Sequence, residues 1–159
     1  MSRKLVTMGL AASLTITTSP WATGDEPITF PEGYRSWYHH HTTVNQPGHN
    51  PEANIGIQHV YANPAAREGL KTGNYADGAM FVVDRFKIAD GENSTLRHGD
   101  RKVIAVMLRN ATKYSETGGW GFEAFKGGDP NQRVVKDMKN CFVCHIPHAA
   151  TQYVISKGE

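Results

Sequence analysis

The sequence predicts an α+β fold, a mainly antiparallel β-sheet of about five strands with a few short helices, and three observations carry it. Runs rich in β-branched and aromatic residues recur along the chain, each bounded by Gly, Pro or Asn clusters. Sixteen glycines and eight prolines among 159 residues demand many turns, which argues against a helical bundle or coiled coil. Hydrophobic residues make up 39% and charged residues 20%, enough apolar material for a packed core and too little charge for a disordered chain.

Each element follows in order. Residues 34–44, including Trp37, Tyr38 and His39 to Thr43, read as a strand between Pro31-Glu32-Gly33 and Asn45-Gln46-Pro47-Gly48. Residues 55–62 read as a second strand, stopped by Asn63-Pro64. Asn63 is a suitable N-cap and Pro64 a suitable first helical residue, so a short helix is expected over 65–71, ending near Gly73. Residues 79–88 form the most β-like run in the chain, 89–100 a polar connection, and 101–108 the returning strand. A fifth strand, 120–125, follows Thr117-Gly118-Gly119. Residues 134–150 read as helix until Pro147.

The N-terminus is set apart from the fold. Arg3 and Lys4 precede an uncharged stretch from Leu5 to Ile16, then Pro20, Trp21 and Ala22. This is the layout of a secretory signal peptide, with an apolar segment of roughly 12 residues against the roughly 20 that a membrane span needs. Residues 1–22 are therefore expected to be a leader and 23–159 a single periplasmic domain. The leader holds two of the 17 basic residues and none of the acidic ones, leaving 15 of each. Such a balanced chain has no electrostatic reason to bind nucleic acid or an anionic membrane.

The chemistry is concentrated in Cys141-Phe142-Val143-Cys144-His145, the C-x-x-C-H spacing of covalent haem c attachment. Each thiol adds to one porphyrin vinyl group, a helical backbone sets both sulfurs along one edge of the macrocycle, and His145 becomes the proximal iron ligand. Two other uses of the pair are a thioredoxin-like redox motif and a zinc site that adds His148 and a remote fourth residue. The redox motif usually follows an early strand, whereas this one lies near the C-terminus. That position also departs from the small all-helical electron carriers, so a distal wall has to come from strand residues ahead of the motif.

Several pieces recur in a familiar order: Gly33-Tyr34-Arg35-Ser36-Trp37, Val60-Tyr61-Ala62-Asn63-Pro64, Gly73-Asn74-Tyr75-Ala76-Asp77-Gly78, Gly118-Gly119-Trp120, and the haem motif followed by Tyr153-Val154. With them the chain resembles the cytochrome P-460 and cytochrome c′-beta family. The resemblance implies a homodimer and one haem c packed against the sheet, its distal face lined by strand side chains. In the P-460 branch a lysine is bonded to a porphyrin meso carbon; counted from Asp77-Gly78, that position holds Val83 here. Lys87 lies about 13 Å further along an extended strand, too far to substitute. A distal arginine of that branch would fall on Gln58. Both departures place the chain closer to the c′-beta branch.

By strand alternation Phe81 and Val83, with Gln58 and Val60 from the neighbouring strand, would face the haem. Such an apolar wall implies a five-coordinate iron that admits NO or CO, and a role in nitric oxide scavenging or detoxification. Without the haem, Phe81 and Val83 would simply be core. Met80, Met107 and His59 are the candidate sixth ligands, and Met107 is the one that would turn a gas-binding haem into an electron-transfer haem with a redox partner protein. An oxidoreductase acting on hydroxylamine or NO, or with peroxidase-like activity, is the enzymatic alternative.

Overall fold

A computed structural model describes residues 26–156. The expected leader lies outside the described residues. Five strands form one antiparallel sheet in sequence order, β1 (Tyr38–Asn45), β2 (Gly56–Ala62), β3 (Met80–Asp90), β4 (Leu96–Arg109) and β5 (Trp120–Lys126). The antiparallel sheet of five strands that the sequence predicts is therefore the architecture, connected as a meander. Helix α1 (Pro64–Thr72) joins β2 to β3, and α2 (Met138–Phe142) follows β5.

The α1 boundaries are those that local chemistry dictates. The Asn63 side chain accepts from the Ala66 amide at 2.9 Å, Pro64 occupies the first turn, and Gly73 closes the helix at φ 75°. Asn63 also accepts from the Met80 amide and donates to the Gly78 carbonyl, so one side chain ties the start of α1 to the start of β3.

Three expectations are corrected. The first strand begins at Tyr38, because Tyr34–Ser36 is a 3-10 turn entered through Gly33 at φ 69°. The polar segment 89–100 is mostly strand: Ala89 pairs with Arg97 and Asp90 with Leu96, so β3 and β4 continue as a ribbon. Backbone pairing in a hairpin does not require apolar side chains, and polarity alone misreads it. The predicted helix over 134–150 shrinks to α2 and a 3-10 segment, Ile146–Thr151. Residues ahead of α2 are extended instead, with Arg133 bridged to Phe125 and the Val134 amide on the Ala124 carbonyl.

Both faces of the sheet are covered. On one, Val82, Ile104, Val106 and Phe125 pack with Ile28, Tyr34 and Tyr114. There Asp84, fully buried, accepts from the Tyr34 hydroxyl at 2.6 Å and pairs with Arg101 at 2.7 Å and Arg35 at 2.8 Å. On the other face Val60, Phe81, Met107, Trp120 and Phe122 pack with Ala66, Tyr75 and Val154. The cysteine motif lies over this second face.

Candidate functional site

A cavity of about 640 Å³ lies between the second face of the sheet and the segment that carries the cysteines, within the ordinary size range of cofactor pockets. Gln58, Val60, Phe81, Val83, Cys141, Cys144 and His145 all line it. Sheet register explains the grouping: Val60 pairs with Val83 and Ala62 with Phe81, so the alternation expected along each strand also matches across strands. Phe81 serves the core as well, its ring 5.8 Å from Tyr75 and 6.2 Å from Trp120.

Helix α2 ends at Phe142, inside the motif, and the chain continues as a turn through Val143, Cys144 and His145. Cys141 sits in α2, Val143 donates its amide to the Lys139 carbonyl, and the His145 amide reaches the Phe142 carbonyl at 2.7 Å. Cys141 is half-buried, Cys144 is exposed, and both are free thiols. Burial pushes the Cys141 thiol up, and the negative fields of Cys144, Glu123 and Asp137 add to this.

His145 is held as a metal-ligating histidine is usually held. Its Nδ1 lies 2.8 Å from the Tyr153 carbonyl oxygen. A carbonyl can only accept, so Nδ1 carries the proton and Nε2 keeps its lone pair for a metal. Burial pulls the imidazole below the usual histidine range; the Tyr153 carbonyl opposes this and His148 adds to it. The Phe122 ring packs 5.0 Å from the imidazole.

The turn that presents the Tyr153 carbonyl is built from distant residues. Gln152 and Tyr153 are both left-handed, at φ 51° and 66°. They are held there because the Trp120 indole donates to the Gln152 carbonyl at 2.8 Å, the Gln152 side chain donates to Asn74 at 3.0 Å, and the Tyr153 amide bonds the His148 carbonyl. Gly118 is φ 64°, and a Cβ there would lie 2.3 Å from the Tyr153 ring. Three sequence pieces noted above, Gly73-Asn74-Tyr75, Gly118-Gly119-Trp120 and Tyr153-Val154, thus meet behind one histidine.

The proposed sixth ligands separate cleanly. Met107, opposite Phe81 in the register and 8% exposed, lines the cavity. Met80 packs against the other face, and the His59 Nδ1 lies 2.8 Å from the Thr42 hydroxyl, with the His39 and His98 rings beside it. Lys87 is exposed and paired with Asp100 at 3.1 Å. Among the described residues no cluster of three or more His, Cys, Asp or Glu side chains is placed to hold a metal ion, which leaves the zinc reading of Cys141, Cys144 and His148 without its donor set.

One feature of the expected wall is corrected: it is not uniformly apolar. Arg85, Lys102 and Glu123 also line the cavity. The alternation that selects Phe81 and Val83 continues to Arg85, so this residue was within reach of the sequence. The Tyr153 carbonyl was not, since a backbone oxygen has no signature in sequence.

A sheet-backed cavity bearing two thiols and a prepared imidazole defines a cofactor-binding domain whose donors suit a covalently held haem. The family model for Cytochrome P460 matches residues 31–156. The chain belongs to the cytochrome P460 family, and that membership implies a haem-binding cytochrome. No curated protein matches the chain.

Proposed function

We propose that this protein is an exported, periplasmic mono-haem cytochrome of the c′-beta type, with haem attached through Cys141 and Cys144, that binds small diatomic gases and acts in nitric oxide scavenging or detoxification. The observation that carries the reading is the pairing of a prepared donor, His145, with cavity-lining Phe81, Val83 and Val60, which offer no iron ligand.

When bound, haem supplies an iron whose open coordination position takes NO or CO. The chain's own residues set the terms of access. The Tyr153 carbonyl fixes the His145 tautomer and ring plane, which keeps Nε2 aimed into the cavity, while burial favours the neutral imidazole. Phe81, 5% exposed and wedged against Tyr75 and Trp120, cannot swing away freely, so it limits the room for anything larger than a diatomic. Val83 and Val60 bring no hydrogen-bonding side chain to the part of the wall beside Phe81 and disfavour water there. Val83 in place of a lysine supports the gas-binding branch over a hydroxylamine-oxidising one.

The test is optical. Mature protein made with a functioning cytochrome c maturation system is expected to weigh one haem more than its polypeptide, and CO or NO added to the reduced form is expected to change the Soret band. A spectrum indifferent to both gases overturns the reading.

Met107 gives specific support to a second reading, a six-coordinate electron carrier, because its thioether lines the same cavity. In that case wild-type protein ignores CO and the Met107→Leu variant binds it. The first reading predicts CO binding by both.

A further inference from the structure

Arg85 is a half-buried cation with an unusual lack of company. Its Nε and Nη2 donate to the Gln58 Oε1 at 3.4 and 3.0 Å, and no carboxylate among the described residues pairs with it. Burial pulls its pKa down, the mark of a charge held without an opposite one. Lys102 gives its Nζ to the carbonyls of Ala53 and Ile55, at 3.0 and 2.8 Å, and so keeps its whole charge. Glu123, the carboxylate on the cavity wall, is already taken: Arg133 lies 2.8 Å from one oxygen and the Ala124 amide 2.8 Å from the other. His41 is the other titratable side chain on the wall near Gln58, and burial holds it below the usual histidine range. The cavity therefore carries two cations with no counter-charge, and burying an unpaired guanidinium is costly. Whatever fills this end is expected to be anionic.

Its position says which anion. Cys141 packs against the cluster that contains Phe81, Met107 and Phe122. Arg85 is four residues beyond Phe81 on β3, roughly 13 Å along an extended strand, and Lys102 is anchored to the loop before β2. Thioether bonds at Cys141 and Cys144 would tie the vinyl side of a haem, and its two propionates would leave from the other side. A guanidinium whose Nη1 has no protein partner among the described residues is suited to a bidentate grip on a carboxylate.

We propose that Arg85, braced by Gln58 and helped by Lys102, is the binding site for the haem propionates. The proposal rests on the covalent-haem reading above. Arg85 is a positioning residue here: it sets the charge around the cofactor and does not touch the gas.

The experiment is a redox titration of the haem-loaded protein against pH, with fluoride binding to the oxidised form measured alongside. Removing a neighbouring cation makes a propionate hold its proton more tightly and favours the oxidised iron. Arg85→Gln is therefore expected to lower the midpoint potential and to raise the pH of the redox-linked ionisation by about one unit. Lys102→Met should do the same to a smaller extent, Arg85→Lys should recover most of the shift, and fluoride affinity should change less than about twofold. Lys87→Met removes an exposed cation paired with Asp100, and should leave both readouts unchanged. A redox-linked ionisation unmoved in both Arg85→Gln and Lys102→Met overturns the assignment. So does a fall of about tenfold or more in fluoride affinity with the ionisation unmoved, which would place Arg85 over the iron. If the wild-type chain carries no covalent haem, the underlying reading fails first and this assignment falls with it.

Discussion

Trp120 is fully buried, and the hydrogen bond from its indole to the Gln152 carbonyl is what links the sheet to the turn behind His145. Trp120→Phe preserves most of the apolar volume and strands that carbonyl, a change worth about 1–3 kcal/mol. We expect a lower Tm and a looser His145, seen as a broadened or shifted charge-transfer spectrum in the haem-loaded protein; a variant with unchanged Tm and spectrum would show that the turn holds itself. At the same scale the motif Cys141 to His145 was readable from spacing alone, because the two thioether bonds and the ligand of our proposal would fix the order of residue types. The Tyr153 carbonyl and the Met107 thioether were not. One is backbone, and the other reaches the cavity only through the register that pairs it with Phe81.

Among the elements, α1 depends on Asn63 for more than a cap. The side chain serves the Ala66 amide, the Met80 amide and the Gly78 carbonyl together. An ordinary N-cap loss costs about 1 kcal/mol, so Asn63→Ala is expected to cost about 2 kcal/mol in urea unfolding, with Asn63→Asp recovering the two accepted bonds. A cost under about 0.5 kcal/mol would mean the junction is held elsewhere. Strand alternation in β2 and β3 put Gln58, Val60, Phe81 and Val83 on one side, and the sheet keeps them there because the register pairs β2 with β3 without a bulge from Ile57 to Ala62. The same rule weakens past Arg85, where β3 and β4 lose step around Phe86. The segment 134–150 shows the limit of composition: its first residues find hydrogen bonds beside β5, and a partner in space outweighs helix propensity.

At the scale of the whole molecule, the two faces of the sheet are stabilised differently. The cavity face relies on apolar packing and, by our proposal, on a cofactor. The opposite face closes over a buried carboxylate, Asp84, held by Tyr34, Arg35 and Arg101. Burial raises the Tyr34 hydroxyl to about 12 from its ordinary 10.0, with the Asp84 carboxylate adding to the shift. Between those values the folded chain keeps a proton that the unfolded chain has lost, so stability falls as pH rises from about 10 to about 12. Denaturant midpoints measured across that range should show the decline in wild type and a shallower one in Tyr34→Phe; equal slopes would remove Tyr34 from the alkaline transition. Among the described residues no helix is long and apolar enough to cross a membrane.

Sequence by itself determined the sheet-based antiparallel fold, the first helix with its cap and stop, and the C-x-x-C-H spacing on which the haem proposal stands. All of these rest on short-range rules: period-two alternation, turn residues, a cap, and a fixed covalent spacing. Only the tertiary structure decided that Met107 shares the cavity with Phe81, and that Gln152 and Tyr153 turn back to orient His145. Those facts depend on which strand pairs with which and on hydrogen bonds between residues far apart in sequence. Chain proximity carries no trace of them until the sheet has formed.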